Sequence, residues 1–150
     1  MPERIVELEQ VLPLLQETVS RGNRFRFSPK GTSMRPMLIM GRDSVELIKA
    51  PEKLKKYDIP LYRRDDGQFV LHRVVKVGQS YTCIGDNQFV YETGVRPEQI
   101  LAVVSGFSHN GKHYAVTDLS YRIYCRFWHY SRPVRHLLLR GTRFLKRIFS

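Results

Sequence analysis

Two residues of the 150-residue chain stand in settings that suit nucleophilic chemistry, Ser33 and His72. Ser33 lies in Lys30-Gly31-Thr32-Ser33-Met34-Arg35-Pro36-Met37-Leu38, after the alternating run Arg24-Phe25-Arg26-Phe27-Ser28. A serine hydroxyl attacks a carbonyl only when a base takes its proton and a turn exposes its oxygen. Gly31 supplies such a turn, since a residue without Cβ lets the backbone come close to a substrate. His72 lies downstream, where Asp66-Gly67 signals a hairpin and the β-branched run after it predicts a strand over 70–77. In that strand His72 shares a face with Val70 and Val74, because side chains repeat every two residues. A neutral imidazole in apolar company is what a general base near pH 7 requires. Gly-Thr-Ser alone is also the composition of an ordinary surface loop, and a strand histidine alone is most often a packed residue. It is the pairing of the two stretches that points to chemistry.

Four stretches occur in order: Gly31-x-Ser33-Met34-x-Pro36, Asp58-Ile59-Pro60-Leu61-Tyr62, Asp66-Gly67-x-x-Val70-x-His72-Arg73-Val74 and Gly85-Asp86-Asn87. Together they resemble the ordered boxes of the signal-peptidase and SOS-repressor serine peptidases, from about Phe25 to Phe107. The resemblance implies a β-rich peptidase domain with Ser33 as nucleophile. It implies His72 as general base, where most bacterial members carry lysine, and it implies no metal or cofactor. A carboxylate is expected to orient the imidazole, and both Asp86 and Glu92 stand at suitable places. The Ser33 N–H would help hold the oxyanion. The hydroxyl that signal peptidases carry two residues before the nucleophile is replaced by Gly31, which leaves Thr32 as the nearby hydroxyl. Gly31, Met34 and Pro36 are expected to line the site. A substrate peptide would add as a strand beside the segment before Ser33.

The elements that must position these residues read as mainly β (α+β). A helix over 5–21 carries Leu8, Leu12, Leu15 and Val19 on one face. Pro13 places its ordered start near Glu9, and Gly22 stops it. Strands are expected over 24–28, 44–48, 58–63, 70–77, 80–85, 100–109 and 112–116, the last two joined at Asn110-Gly111 by a type I′ turn. Residues 1–118 are therefore read as the peptidase-like domain and 119–150 as an extension.

Charge separates the two. The formal net charge is +11, yet no acidic residue follows Asp118, while eight of the lysines and arginines do. The rest of the chain holds 17 basic residues against 14 acidic. In the extension, Val134, Leu137, Leu138, Gly141, Leu145, Ile148 and Phe149 fall on one helical face, with Arg135, His136, Arg140, Arg143 and Arg147 opposite. A basic amphipathic helix of this kind suits an anionic membrane surface. The same stripe could instead pack on the protein itself. Nucleic acid is disfavoured, because no recognition motif accompanies the charge.

Cys83 and Cys125 form no disulfide framework and no metal spacing, and His109, His113, His129 and His136 show no ligand pattern either. The first residues lack the apolar core of a signal peptide, and no run is long enough to span a bilayer. The expectation is a cytoplasmic protein, peripheral at the inner face of the membrane if the tail binds lipid. The sequence thus points to a serine endopeptidase that cleaves a leader or signal-type peptide through a Ser33 acyl-enzyme. The reading from another class is a non-catalytic peptide- or membrane-binding module on the same fold.

Overall fold

A computed structural model describes residues 7–149. The fold is α+β, with two antiparallel sheets, and the chain divides between Val116 and Thr117 into two compact units. The first unit opens with helix α1, Leu8–Ser20, which buries Leu15 and Val19 and leaves Leu14 exposed. Positions 5 and 6 of the expected helix lie outside the described residues. The helix starts one residue before the expected Glu9, so that Pro13 falls inside it. The carbonyl that proline deprives of a partner is that of Glu9, in the exposed first turn, where water can satisfy it. Gly22, at φ 82°, ends the helix in the left-handed conformation, with its N–H donating to Val19 O and that of Asn23 to Thr18 O.

Among the described residues nine strands follow in chain order. They are β1 (Phe25–Phe27), β2 (Ser44–Ile48), β3 (Pro60–Arg63), β4 (Phe69–Leu71), β5 (Arg73–Val77), β6 (Tyr81–Ile84), β7 (Glu92–Val95), β8 (Ile100–His109) and β9 (Lys112–Ala115). The larger sheet runs β1-β2-β8-β3-β4, with β9 also on β8. The ten-residue β8 is its spine, since Ile100–Val103 meet β3 and 103–108 meet β2, while 106–109 meet β9. The smaller sheet is β5-β6-β7. Asn110 and Gly111 both take positive φ in the β8–β9 hairpin, as a type I′ turn requires.

One expected strand is in fact two. Residues 70–77 do not form a single ladder: β4 ends at Leu71 in the larger sheet and β5 begins at Arg73 in the smaller. His72 is the residue between them. The burial pattern shows why alternation misleads here. All of 70–75 are buried, because a chain crossing between two packed sheets is covered on both sides. The core beneath the crossing draws Tyr62, Val70 and Val103 from one sheet and Val74, Tyr81, Cys83 and Val95 from the other. Strand β7 lacks an alternating apolar pattern, reading half-buried, exposed, exposed, buried, and so escapes a sequence reading.

The second unit holds α2, Leu119–Tyr130, and α3, Arg132–Phe149, joined at Ser131. Arg135 lies 3.8 Å above the Trp128 ring and donates to Trp128 O at 2.8 Å and Ser131 Oγ at 3.1 Å. These contacts fasten the joint between the two helices. Among the described residues no helix is long and apolar enough to cross a membrane.

Asp43 closes the segment that carries Ser33 onto the β8–β9 hairpin. Its buried carboxylate accepts from Ile39 N and Asn110 N at 2.9 Å each, and from Arg42 Nε and Nη2. Burial alone would push its pKa up, but these donors outweigh burial and hold it at about 2. Asp43→Ala, which strands two backbone N–H groups, should cost roughly 2–5 kcal/mol in urea unfolding. The wild-type carboxylate contributes stability fully above its ordinary pKa near 3.8 and loses it as pH falls through about 2. Asp43→Asn should lack that stretch of acid dependence.

Candidate active site

Ser33 reaches its place through a turn that two partners hold from below. After β1 the chain passes Pro29 and Gly31, the latter at φ 88° with its N–H on Met40 Sδ at 3.1 Å. The turn then closes on itself, with Arg35 N donating to Thr32 O and Leu38 N to Met34 O. From the loop after β6, Asn87 N donates to Ser33 O at 2.9 Å, and Asn87 Nδ2 donates to Thr32 O at 3.2 Å. Gly85 makes this approach possible, because a Cβ there would stand only 2.5 Å from Ser33 O. Any other residue would push the serine turn off its support.

Between Gly85 and Asn87 lies Asp86, fully buried. Arg73 Nε and Nη2 donate to its two oxygens at 2.8 Å each, and Arg73 Nη1 reaches Tyr57 O at 3.3 Å. The planar guanidinium fork matches the carboxylate, which is the geometry in which a buried pair can survive its desolvation. Arg73 is the neighbour of His72, and Asp86 lies between Gly85, which makes room for the Ser33 turn, and Asn87, which holds it. The pair therefore ties the two halves of the site into one body.

His72 is buried, at 5% exposure, and burial pulls its pKa down to about 4 against the partial opposition of Glu92 and Asp86. Its Nδ1 faces the Tyr62 hydroxyl at 3.4 Å. The Tyr62 hydroxyl donates its single proton to Glu92 Oε2 at 2.7 Å, and Arg64 Nε donates to Glu92 Oε1 at 2.7 Å. Burial raises the Tyr62 pKa far above its ordinary value, and the bond to Glu92 raises it further. Glu92 is pushed up by partial burial, but the bonds from Arg64 and Tyr62 prevail and leave it below its ordinary value. With the tyrosine proton committed to a carboxylate, the tyrosine oxygen can only accept from Nδ1–H. Nε2 is then the ring nitrogen with a lone pair.

The two carboxylates left open by the sequence thus stand differently. Glu92 reaches the imidazole through Tyr62, while Asp86 takes the Arg73 fork. Gly31, Ser33, Met34 and His72 line one open pocket of about 240 Å³, with Arg64 and Val70 also on its wall. Exposed Thr32 and Pro36 lie outside that lining. Among the described residues no cluster of histidines, cysteines and carboxylates could hold a metal. No family model matches the chain, and no curated protein or solved structure does so either.

Three contributors went unassigned in the sequence: Arg73, Tyr62 and Asn87. Arg73 left a signal. An arginine inside Val-Leu-His-Arg-Val-Val must either point to water or find an acid, since a buried charge is paired. Tyr62 left none, because its role depends on β3 and β7 lying on either side of His72.

Arg73→Met strands a buried carboxylate and should destabilise the chain by roughly 3–5 kcal/mol in chemical denaturation. The double variant Arg73→Met/Asp86→Leu should recover much of that loss. His72 imposes a separate pH dependence. Its folded pKa of about 4 lies below its ordinary 6.5, so the unfolded chain binds the proton first. Stability should fall as pH drops from about 6.5 to 4, and His72→Gln should flatten that interval.

Proposed function

We propose that the chain is a serine endopeptidase akin to the signal-peptidase and SOS-repressor group, cleaving a leader or signal-type peptide. The observation that carries this reading is the wall shared by Ser33 and His72, with His72 kept neutral and its Nδ1 turned to Tyr62. In the reaction, His72 Nε2 takes the Ser33 proton as Oγ bonds to the scissile carbonyl carbon. The Ser33 N–H faces the resulting oxyanion, and Thr32, outside the pocket lining, is left with no part in holding it. Collapse breaks the C–N bond, and the departing amine takes the proton from His72. Water then attacks the acyl-enzyme with His72 again as base, releasing the carboxylate product and restoring Ser33.

The peptide would enter as a strand. Among the described residues β4 pairs with β3 alone, so its other edge, Phe69–Leu71, offers unpaired backbone groups at the pocket wall. Pro29–Gly31 stand across from it. A second groove of about 400 Å³ shares Pro29, Lys30, Phe69 and Leu71 and adds Phe27 and Leu61. The apolar part of these walls, Phe27, Leu61, Phe69 and Leu71, suits short aliphatic side chains along an extended peptide.

Incubation with a serine-reactive acylating probe should place one adduct on Ser33 by mass spectrometry, and none in Ser33→Ala. An unlabelled, folded wild-type chain would favour the binding-module reading. Peptide cleavage should drop about 10²- to 10⁴-fold in His72→Ala and about tenfold in Tyr62→Phe, which loses the hydroxyl's bond to His72 Nδ1 along with that to Glu92. The acid limb of kcat/KM should lie near the buried imidazole's pKa of about 4 rather than at 6.5. A limb appearing only well above neutrality would assign the base to lysine.

A further inference from the structure

Helix α3 carries an apolar face that its own unit leaves uncovered. At 100° per residue, Val134, Leu137, Leu138, Phe144, Leu145 and Ile148 fall in a sector of about 120°. Their exposures run from 53% to 71%, and Phe149 at the end reaches 83%. Helix α2 adds Leu119, Ile123, Phe127 and Tyr130, each at least 59% exposed and within one of its own faces. A contiguous apolar surface of this kind marks a contact site.

The remaining circumference of α3 identifies the occupant. Arg135, His136, Arg140, Arg143, Lys146 and Arg147 dominate it, with Leu139 and Thr142 among them, and no acidic residue follows Asp118. Arg140 stands at one margin of the apolar sector, where a long side chain can bury its stem and lift its charge to water, while Arg135 at the other margin is held against Trp128. A water-soluble protein groove would cover the leucines but would give no reason for cations around the rest of the helix. A nucleic acid would meet the cations and leave the leucines bare. A bilayer rich in anionic lipid meets both at once, since acyl chains take the apolar sector and headgroup charge takes the guanidinium groups. The helix is about 27 Å long and too charged to cross, so it must lie in the plane of the surface.

We propose that α3 binds anionic membrane surfaces, lying at the headgroup boundary with Val134, Leu138 and Leu145 inward and the arginines outward. The inference stands apart from the peptidase reading, because it uses no residue of the Ser33 site.

The test is flotation of the full chain with vesicles of phosphatidylcholine alone, and of phosphatidylcholine and phosphatidylglycerol in equal parts. Binding is expected to the anionic vesicles and not to the neutral ones, and to weaken as salt is raised. Arg140→Gln/Arg143→Gln/Arg147→Gln should bind about a hundredfold less tightly, at about fivefold for each charge removed near the surface. Leu138→Glu/Leu145→Glu keeps every arginine, alters only exposed side chains and should also abolish flotation. Circular dichroism of the lipid-free variants checks that each retains its helices. Equal binding to both vesicles, or undiminished binding of the glutamate variant, would overturn the proposal. So would a chain that ignores lipid and instead forms a dimer that the glutamate variant disrupts, or that binds duplex DNA in its place.

Discussion

The buried ion pair between Arg73 and Asp86 is the constraint on which the rest of the candidate site depends. Neither group could stay in this interior alone, because an uncompensated charge there costs several kcal/mol. Each therefore fixes the other, and each is one residue from a segment of the candidate site. Arg73 begins β5 beside His72, and Asp86 stands between Gly85, which leaves room for Ser33 O, and Asn87, which donates to the carbonyls of Ser33 and Thr32. A hydrophobic pair of equal volume would fill the space but would not fix the angle between the two segments. The guanidinium fork does, because two parallel bonds of 2.8 Å leave little rotational freedom.

The second constraint is topological. His72 lies where the chain leaves one sheet and enters the other, and this single placement explains both its burial and its chemistry. On a strand with one face to water the imidazole would be solvated and titrate near its ordinary value. At a crossing between packed sheets the protonated form is disfavoured, and the ring stays neutral at pH values where an exposed histidine would be half charged. The Tyr62 hydroxyl then sets the tautomer at one remove from Glu92. Interposing a neutral phenol keeps the full carboxylate charge off the ring, so burial dominates and the pKa falls rather than rises.

The two units use apolar residues in opposite ways. In 7–116 they close a core between two sheets, with Leu15, Val45, Leu47, Val74 and Ile84 all but removed from water. In α3 they form a stripe that faces outward, bordered by cations. Composition cannot tell the two uses apart, since the same leucines and valines serve both. What differs is the company, which is alternating strand partners in the first case and an unbroken run without carboxylates in the second.

The β-rich character, the α1 packing helix, the hairpin turns at Asp66-Gly67 and Asn110-Gly111 and the charge of the tail were all legible in the sequence. Each rests on interactions between near neighbours, where turn chemistry, periodicity and charge suffice. Ser33 and His72 could be nominated for the same reason, from the glycine turn and the apolar run around them. What lay beyond the sequence was every decision that needed two distant strands at once. The break at His72 depends on which sheet each half of 70–77 joins, and alternation is blind to that when both faces are buried. Glu92 begins a strand with no apolar alternation, and its link to the imidazole runs through Tyr62, thirty positions away. The pairing of Arg73 with Asp86 likewise follows from neither neighbourhood alone. The sequence determined which groups must avoid water or seek a partner, and only the tertiary structure decided the partner, because long-range pairing is chosen by how the sheets stack and not by local pattern.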